Sequence, residues 1–158
     1  VNSGFNFRPT DIQAAIGLSQ FNSFHSFIKI RNINRKRIIN KLMTDKRWAN
    51  QVDFIEESKN IEPSWFGLAM LINKKFKSNK QLIFKKLDKL GIENRPMIGG
   101  NFLKQPALLK YNIKQKSKDF PNANYIHEYG LFVGLSTKIL SKTKIRKFAS
   151  IFFNSFKI

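Results

Sequence analysis

The chain has 158 residues, of which 42 % are hydrophobic and sixteen are Phe, enough apolar material for one packed domain. Twenty-nine Lys and Arg stand against ten Asp and Glu, a net charge of +19, and there is no cysteine. A disulfide framework and thiolate chemistry are therefore excluded, no uncharged apolar run has the length of a membrane span, and the start lacks the basic-then-apolar layout of a signal peptide, so a cytoplasmic location is expected.

The first element is announced by "SGFNFRPTDIQAAIGLSQ" (3–20). Thr10 is a good N-cap, and Gln13 three residues later completes a capping box. Pro9 biases Arg8 towards extended backbone, so the helix cannot start earlier. Asp11 complements the helix dipole. Small residues (Ala14, Ala15, Gly17, Ser19) mixed with large ones (Ile12, Ile16, Leu18) predict a helix packed closely on more than one side. Gly4 to Arg8 is an extended lead-in that aims two polar groups at something. The basic run "KIRNINRKRIINK" (29–41) predicts a second helix, with Phe24, Phe27, Ile28, Ile38 and Leu42 on one side. Arg31 and Arg35 lie near that side, four apart, where they can reach buried carbonyls or a carboxylate.

Further on, "SWFGLAMLI" (64–72) is an apolar run of strand length. Asn79 is placed to cap a helix carrying Ile83, Leu87 and Leu90, and Gly91 ends it. "IENRPM" (92–97) reads as a short strand broken by Pro96. "IGGNFLKQPALLKY" (98–111) gives a glycine turn and a short helix, "FPNANYIHEYG" (120–130) another helix, and "LFVGL" (131–135) a buried strand. Ser141 caps a last helix with Ile145, Phe148, Phe152 and Phe156 as its apolar stripe. The expected order is α-α-β-α-β-α-β-α in a single unit, 1–158, with a small mixed sheet covered by helices.

Catalytic constellations are scarce. His25 and His127 are the only histidines and have no second ligand at metal spacing. His25 reads as a surface residue. Glu56 and Glu57 are adjacent and cannot face one another as an acid–base pair. No P-loop, nucleophile elbow or dinucleotide glycine pattern occurs. No catalytic residue and no metal site are assigned. The basic residues are spread along a chain also rich in Asn, Ile and Phe, which points to a solvated surface. The competing reading is a basic module that binds nucleic acid or another polyanion without catalysis.

The stretch "GFNFRPTDIQAAIGLSQ", followed by "KIRNINRKRIINKL", resembles the segment of the DegT/DnrJ-type sugar aminotransferases written G-Y-N-Y-R-M-T-D-x-Q-A-A-I-G-x-x-Q-L and then a K-R-R-x-N helix. "LGIENRPMIGGNFLKQPAL" and "FPNANYIHEYGLFVGLS" are similar to the branch containing lipopolysaccharide deoxysugar 3-dehydratases, with an R-P-x-x-x-G-N-F loop and an N-A-x-Y-I-x-x-x-G-x-F-V-G segment. The resemblance covers essentially the whole chain. It departs after the final V-G, where that branch commonly has His and this chain has Leu135, Ser136 and Thr137.

The resemblance implies the C-terminal portion of a fold-type I transferase dependent on pyridoxal phosphate (PLP): dimer-forming helices plus a small domain. The Ser-x-x-Lys motif that holds PLP, or the histidine replacing that lysine in the dehydratase branch, would lie upstream. A chain with neither is expected to be inactive alone. The loop bearing Asn6 reaches across the dimer in that family, which makes Asn6 and Arg8 candidate contacts to the PLP phosphate. An amide N–H and a guanidinium fork both suit a phosphate; the alternative is a turn for Asn6 and a surface ion pair for Arg8. The loop 95–102 lies by the active-site mouth in the family. Arg95 and Asn101 offer donors to a sugar hydroxyl or diphosphate, and Phe102 belongs to the same substrate-binding candidate; a structural turn is the alternative. Tyr125 and His127 lead back towards that area. The implied activity is amino transfer to, or 3-dehydration of, a nucleotide-linked keto-deoxysugar in lipopolysaccharide biosynthesis, by a cytoplasmic homodimer with no specific nucleic-acid partner.

Overall fold

A computed structural model describes residues 10–111 and 115–157. Helix α1 (Asp11–Phe21) starts as its sequence dictates: the Gln13 N–H donates to Thr10 Oγ1 at 3.4 Å and the Thr10 N–H donates to Gln13 Oε1 at 2.8 Å. All its residues are exposed, so the close packing on more than one side is not met among the described residues. Helix α2 (Phe24–Met43) divides in two. Its second half buries Asn34, Arg35, Ile38 and Leu42, whereas Phe24 stays exposed, so the expected apolar side is continuous with the core only from residue 34 onward. His25 is exposed, as expected.

The sheet has four strands in the order β1 (Val52–Phe54), β2 (Gly67–Ile72), β4 (Gly130–Gly134), β3 (Asn94–Arg95). Every neighbouring pair is antiparallel, which corrects the expectation of a mixed sheet. The physical reason is the position of β4. β2 and β3 run the same way and are joined through α3 (Lys80–Lys89), but β4 is inserted between them and pairs with both. The helix and the strands are visible in the sequence; that the last strand splits the other two is not.

Side chains alternate across the sheet. Leu68, Met70, Ile72, Leu131 and Val133 point to one face and form the core with Ile38 and Leu42 of α2, Ile83 and Leu87 of α3, and Ile145, Ala149 and Phe152 of α5 (Lys142–Ser155). Ser141 caps α5 through Oγ, accepting from the Lys144 N–H at 3.2 Å. Gly91 takes φ 85° just beyond α3, as a C′ glycine should. The cap at Asn79 is not formed. Asn73 instead caps a preceding 3-10 turn (Lys74–Asn79) that runs directly into α3, which leaves Asn79 no free N–H groups to serve. The expected short helix in 98–111 is two 3-10 turns, Phe102–Lys104 and Pro106–Lys110, because Pro106 interrupts the chain between them. Helix α4 (Pro121–Tyr129) leads straight into β4. No described helix is long and apolar enough to cross a membrane.

Candidate functional site

The opposite face of the sheet carries Gly67, Ala69, Phe132 and Arg95, since Ala69 and Arg95 both stand opposite Phe132 in register. Phe132 lies over Gly67 so closely that a Cβ there would come within 2.1 Å of its ring. With no side chain beneath it, the ring reaches Phe66, with centroids 5.8 Å apart in a stacked arrangement. The Arg95 guanidinium sits 4.9 Å from the Phe132 centroid and 5.6 Å from that of Phe66. Arg31, on α2, lies 5.4 Å from the same Phe66 ring. Phe66, Phe132 and Arg95, with Ser136, Lys144 and Phe148, line a cleft of about 450 Å³. Glu93 is the one carboxylate on its wall.

The two arginines of α2 differ. Arg35 has three partners: Nη2 donates to the Ile55 carbonyl, Glu57 lies 3.8 Å away, and the guanidinium rests 4.1 Å from the Trp65 centroid. Burial pulls its pKa below the ordinary value, against the raising influence of Glu57 and Glu56. This is the buried carbonyl and carboxylate expected of the pair. Arg31, one turn earlier, has its Nε buried without an acceptor among the described residues.

The loop after β3 is built around Asn101, which is almost fully buried. Its Oδ1 accepts from the Leu103 N–H at 3.0 Å, and Nδ2 donates to Asn124 Oδ1 at 2.9 Å and Ser117 Oγ at 3.0 Å. The Asn101 N–H donates to His127 Nδ1 at 3.3 Å. Gly100, at φ 59°, lets that ring approach, because a Cβ there would lie 2.4 Å from Nδ1. Gln105 closes the loop by donating to the Gly99 carbonyl at 2.6 Å. Phe102 projects outward, 68 % exposed, beside a separate shallow cleft with Leu103 and Phe120. Thus Arg95 faces one cleft and Phe102 the other, and the two share no lining residue. Asn6 and Arg8 lie outside the described residues.

Asn34 is the residue that motif reading overlooked. Fully buried, it donates from Nδ2 to the carbonyls of Ser136 (3.1 Å) and Lys138 (2.9 Å), and its Oδ1 accepts from the Leu140 N–H at 3.0 Å. Arg37 adds a 2.7 Å bond to the Leu140 carbonyl. Together they fix the segment that follows β4 and closes one wall of the larger cleft. The available signal was position: residue 34 falls one and two turns before Ile38 and Leu42, so a polar side chain there had to be buried.

On the far side, Glu128 accepts from Lys77 at 2.6 Å and lies 3.6 Å from Lys104, which together hold its carboxyl below the usual range. Lys80 donates to the carbonyls of His127 (3.1 Å) and Glu128 (2.9 Å), and burial lowers its pKa. Among the described residues no three His, Asp or Glu side chains gather to hold a metal.

Residues 1–150 match the model of the DegT/DnrJ/EryC1/StrS aminotransferase family. The chain is 35 % identical over 131 residues to a GDP-4-keto-6-deoxy-D-mannose 3-dehydratase of Yersinia pseudotuberculosis, covering 83 % of this chain and 32 % of the relative. It is 28 % identical over 152 residues to the lipopolysaccharide biosynthesis protein RfbH of Salmonella typhimurium, covering 94 % of this chain and 34 % of the relative. The solved structure of the E. coli GDP-4-keto-6-deoxy-D-mannose-3-dehydratase with bound hydrated PLP aligns with a TM-score of 0.74 at 33 % identity, over 96 % of this chain and 37 % of that one. Helicobacter pylori PseC, an aminotransferase, shares the fold at 19 % identity and a TM-score of 0.74. The chain spans about a third of the length of these relatives.

Proposed function

Since the chain belongs to the DegT/DnrJ/EryC1/StrS aminotransferase family, we propose that it supplies the C-terminal part of a cytoplasmic, homodimeric PLP enzyme that acts on a nucleotide-linked 4-keto-6-deoxysugar in lipopolysaccharide biosynthesis. A 3-dehydratase acting on a GDP-linked sugar is the favoured form, because the relatives at 35 % and 34 % identity both carry that name. The observation that carries the substrate role is Arg95: the R-P-x-x-x-G-N-F loop begins with a guanidinium held over Phe132 at the cleft wall, with no acid partner in ion-pair range among the described residues.

The described residues do not fit attachment of the cofactor. Lys80, whose pKa burial lowers, is tied to the two main-chain carbonyls of His127 and Glu128. When bound, PLP supplies an electron sink for bond breaking beside the keto carbon. No step at the cofactor is assigned to this chain. Its own residues bind and orient. Asn6 and Arg8 are proposed to donate to the PLP phosphate. Arg95 binds the substrate at the larger cleft, and Phe102 is proposed to offer its exposed ring to a part of the substrate that extends to the smaller one. Asn101 acts as a positioning residue, since its amide is engaged by Ser117, Asn124 and Leu103.

The test is a chimera in which this chain replaces the corresponding third of the Yersinia 3-dehydratase. It should eliminate water from GDP-4-keto-6-deoxymannose, and Arg95→Ala should raise KM with the PLP absorbance unchanged. A folded, PLP-loaded chimera with no turnover would overturn the reading. The chain alone, treated with PLP and borohydride, should yield no single stoichiometric lysine adduct; one such adduct would show that it holds the cofactor itself.

A further inference from the structure

We propose that the hollow between α2 and α5 binds a phosphate group, as inorganic phosphate or a small phosphomonoester, through Arg37, Lys41, Lys142 and Arg146. These four bases line a cavity of about 210 Å³ together with Asn40 and Ile145, and no carboxylate is among its described lining residues. Arg37 and Lys41 stand four apart on α2, and Lys142 and Arg146 stand four apart on α5. Each is a like-charge pair at the spacing that destabilises a helix. Here two such pairs converge on one hollow, on helices that pack against the same core. Arg37, Lys142 and Arg146 are in no ion pair or ring contact among the described residues. Of the four, Lys41 alone has a carboxylate, Asp45 at 3.0 Å, and Asp45 is shared with Arg47.

Cations gathered around a hollow without an acid repel one another, and a bound anion turns that repulsion into attraction. Elsewhere the chain compensates its bases: Lys77 and Lys104 flank Glu128, and Arg35 has Glu57. The donor set suits a phosphate. Two guanidinium forks and two ammonium groups can serve several oxygens of one tetrahedral anion at once. Arg37 is already oriented, because its Nη1 donates to the Leu140 carbonyl at 2.7 Å while its other N–H groups stay available. Ile145, buried in the core, lines the same hollow and withholds water from one side of a bound anion, which strengthens the attraction. The volume lies below the roughly 300–1,000 Å³ of pockets that enclose drug-sized ligands, which favours a small anion over a whole nucleotide. The hollow shares no lining residue with the cleft that Arg95 faces, so it is a separate site. Arg37 links the two, since Leu140 lines that cleft. Each basic pair is plain in the sequence; their convergence needs α2 and α5 side by side.

The test is calorimetric titration of the 158-residue chain with sodium phosphate, and separately with glycerol 3-phosphate, at a constant ionic strength of about 0.15 M, where attraction to the diffuse basic surface is screened. At least one of the two should bind at a single site, and the tighter one identifies free phosphate or a monoester as the ligand. Lys142→Gln combined with Arg146→Gln should weaken that binding by roughly tenfold or more, the loss expected for charge-assisted hydrogen bonds. Lys85→Gln combined with Lys89→Gln removes equal charge from an exposed pair four apart on α3 and should leave binding within about twofold. All four positions are exposed on helices, so both variants should fold, which circular dichroism checks. Stability gives a second reading. In chloride without phosphate, the Lys142→Gln and Arg146→Gln variant should have a higher urea midpoint than the wild type, because it loses the repulsion. Adding phosphate should raise the wild-type midpoint more than the variant's, because only the wild type keeps the site. No binding of either anion, equal losses from both double variants, or a lower midpoint for the α5 variant in chloride would each overturn the proposal.

Discussion

Asn34 illustrates what a single amide can do when every one of its groups is used. It spans from α2 to the segment 136–140, a separation of about a hundred positions, with three hydrogen bonds to main-chain atoms. Asn34→Ala should lower the unfolding free energy by about 2–4 kcal/mol in urea titrations, since it leaves two carbonyls and one N–H unpartnered. A loss under about 0.5 kcal/mol would mean that water replaces the amide there. Asp45 is a different case. Hydrogen bonds from Arg47 and Lys41 hold its carboxyl far below the usual carboxylate range. A depressed folded pKa stabilises above the unfolded value near 4 and is lost as pH falls through the folded one. The stability gap between the wild type and Asp45→Asn should therefore be full at pH 7 and shrink on acidification below about pH 4, as read from urea midpoints. Both basic partners, Arg47 and Lys41, are exposed, so the gap is small. Arg95 and Phe102 were singled out because they sit in a contiguous loop motif, and the structure turns them to different clefts. The contact of Arg31 with Phe66 was not legible, because it brings α2 against the residue that precedes β2, which no local pattern encodes.

At the scale of elements, legibility followed local chemistry. The capping box of α1, the Ser141 cap of α5 and the Gly91 terminus each rest on residues a few positions apart, and each forms as read. β1 went unread because three residues, Val-Asp-Phe, are too few to show alternation. The cap at Asn79 failed because a 3-10 turn precedes the helix. Helix α1 was read correctly as a helix but not in its packing, because none of the described residues covers it. Ile12 and Leu18 are each 74 % exposed, and Ile16 and Phe21 add to the same unpartnered helix. Apolar surface of this extent favours association. The isolated chain should show concentration-dependent self-association in sedimentation velocity, relieved by the double substitution Ile12→Gln and Leu18→Gln. A monomer throughout, or association indifferent to that change, would contradict it.

For the molecule as a whole, the charge of +19 is the largest number in the sequence and the one that says least about the site. Lysines and arginines are distributed over α2, α3 and α5, and many make local contacts with carbonyls or rings rather than with a shared acceptor. If the charge is a solvated surface, DNA should bind weakly, without sequence preference, and with affinity falling steeply as salt rises. Filter binding across a salt series checks this; a single sequence bound tightly at physiological salt would instead favour a dedicated nucleic-acid surface.

The insertion of β4 between β2 and β3 also dictates an order of events during synthesis. The ribosome delivers β1, β2, α3 and β3 before any residue of Gly130–Gly134 exists. Until then β2 has only the three residues of β1 to pair with, and β3 has no neighbour at all. Leu68, Met70 and Ile72 must wait in the nascent chain with an open hydrogen-bonding edge. At about 5–20 residues per second this interval lasts for seconds, long enough for a chaperone to bind. Arrest peptides placed to stall translation before residue 130 should leave a protease-sensitive chain, while stalling only after α5 has emerged should give a resistant one.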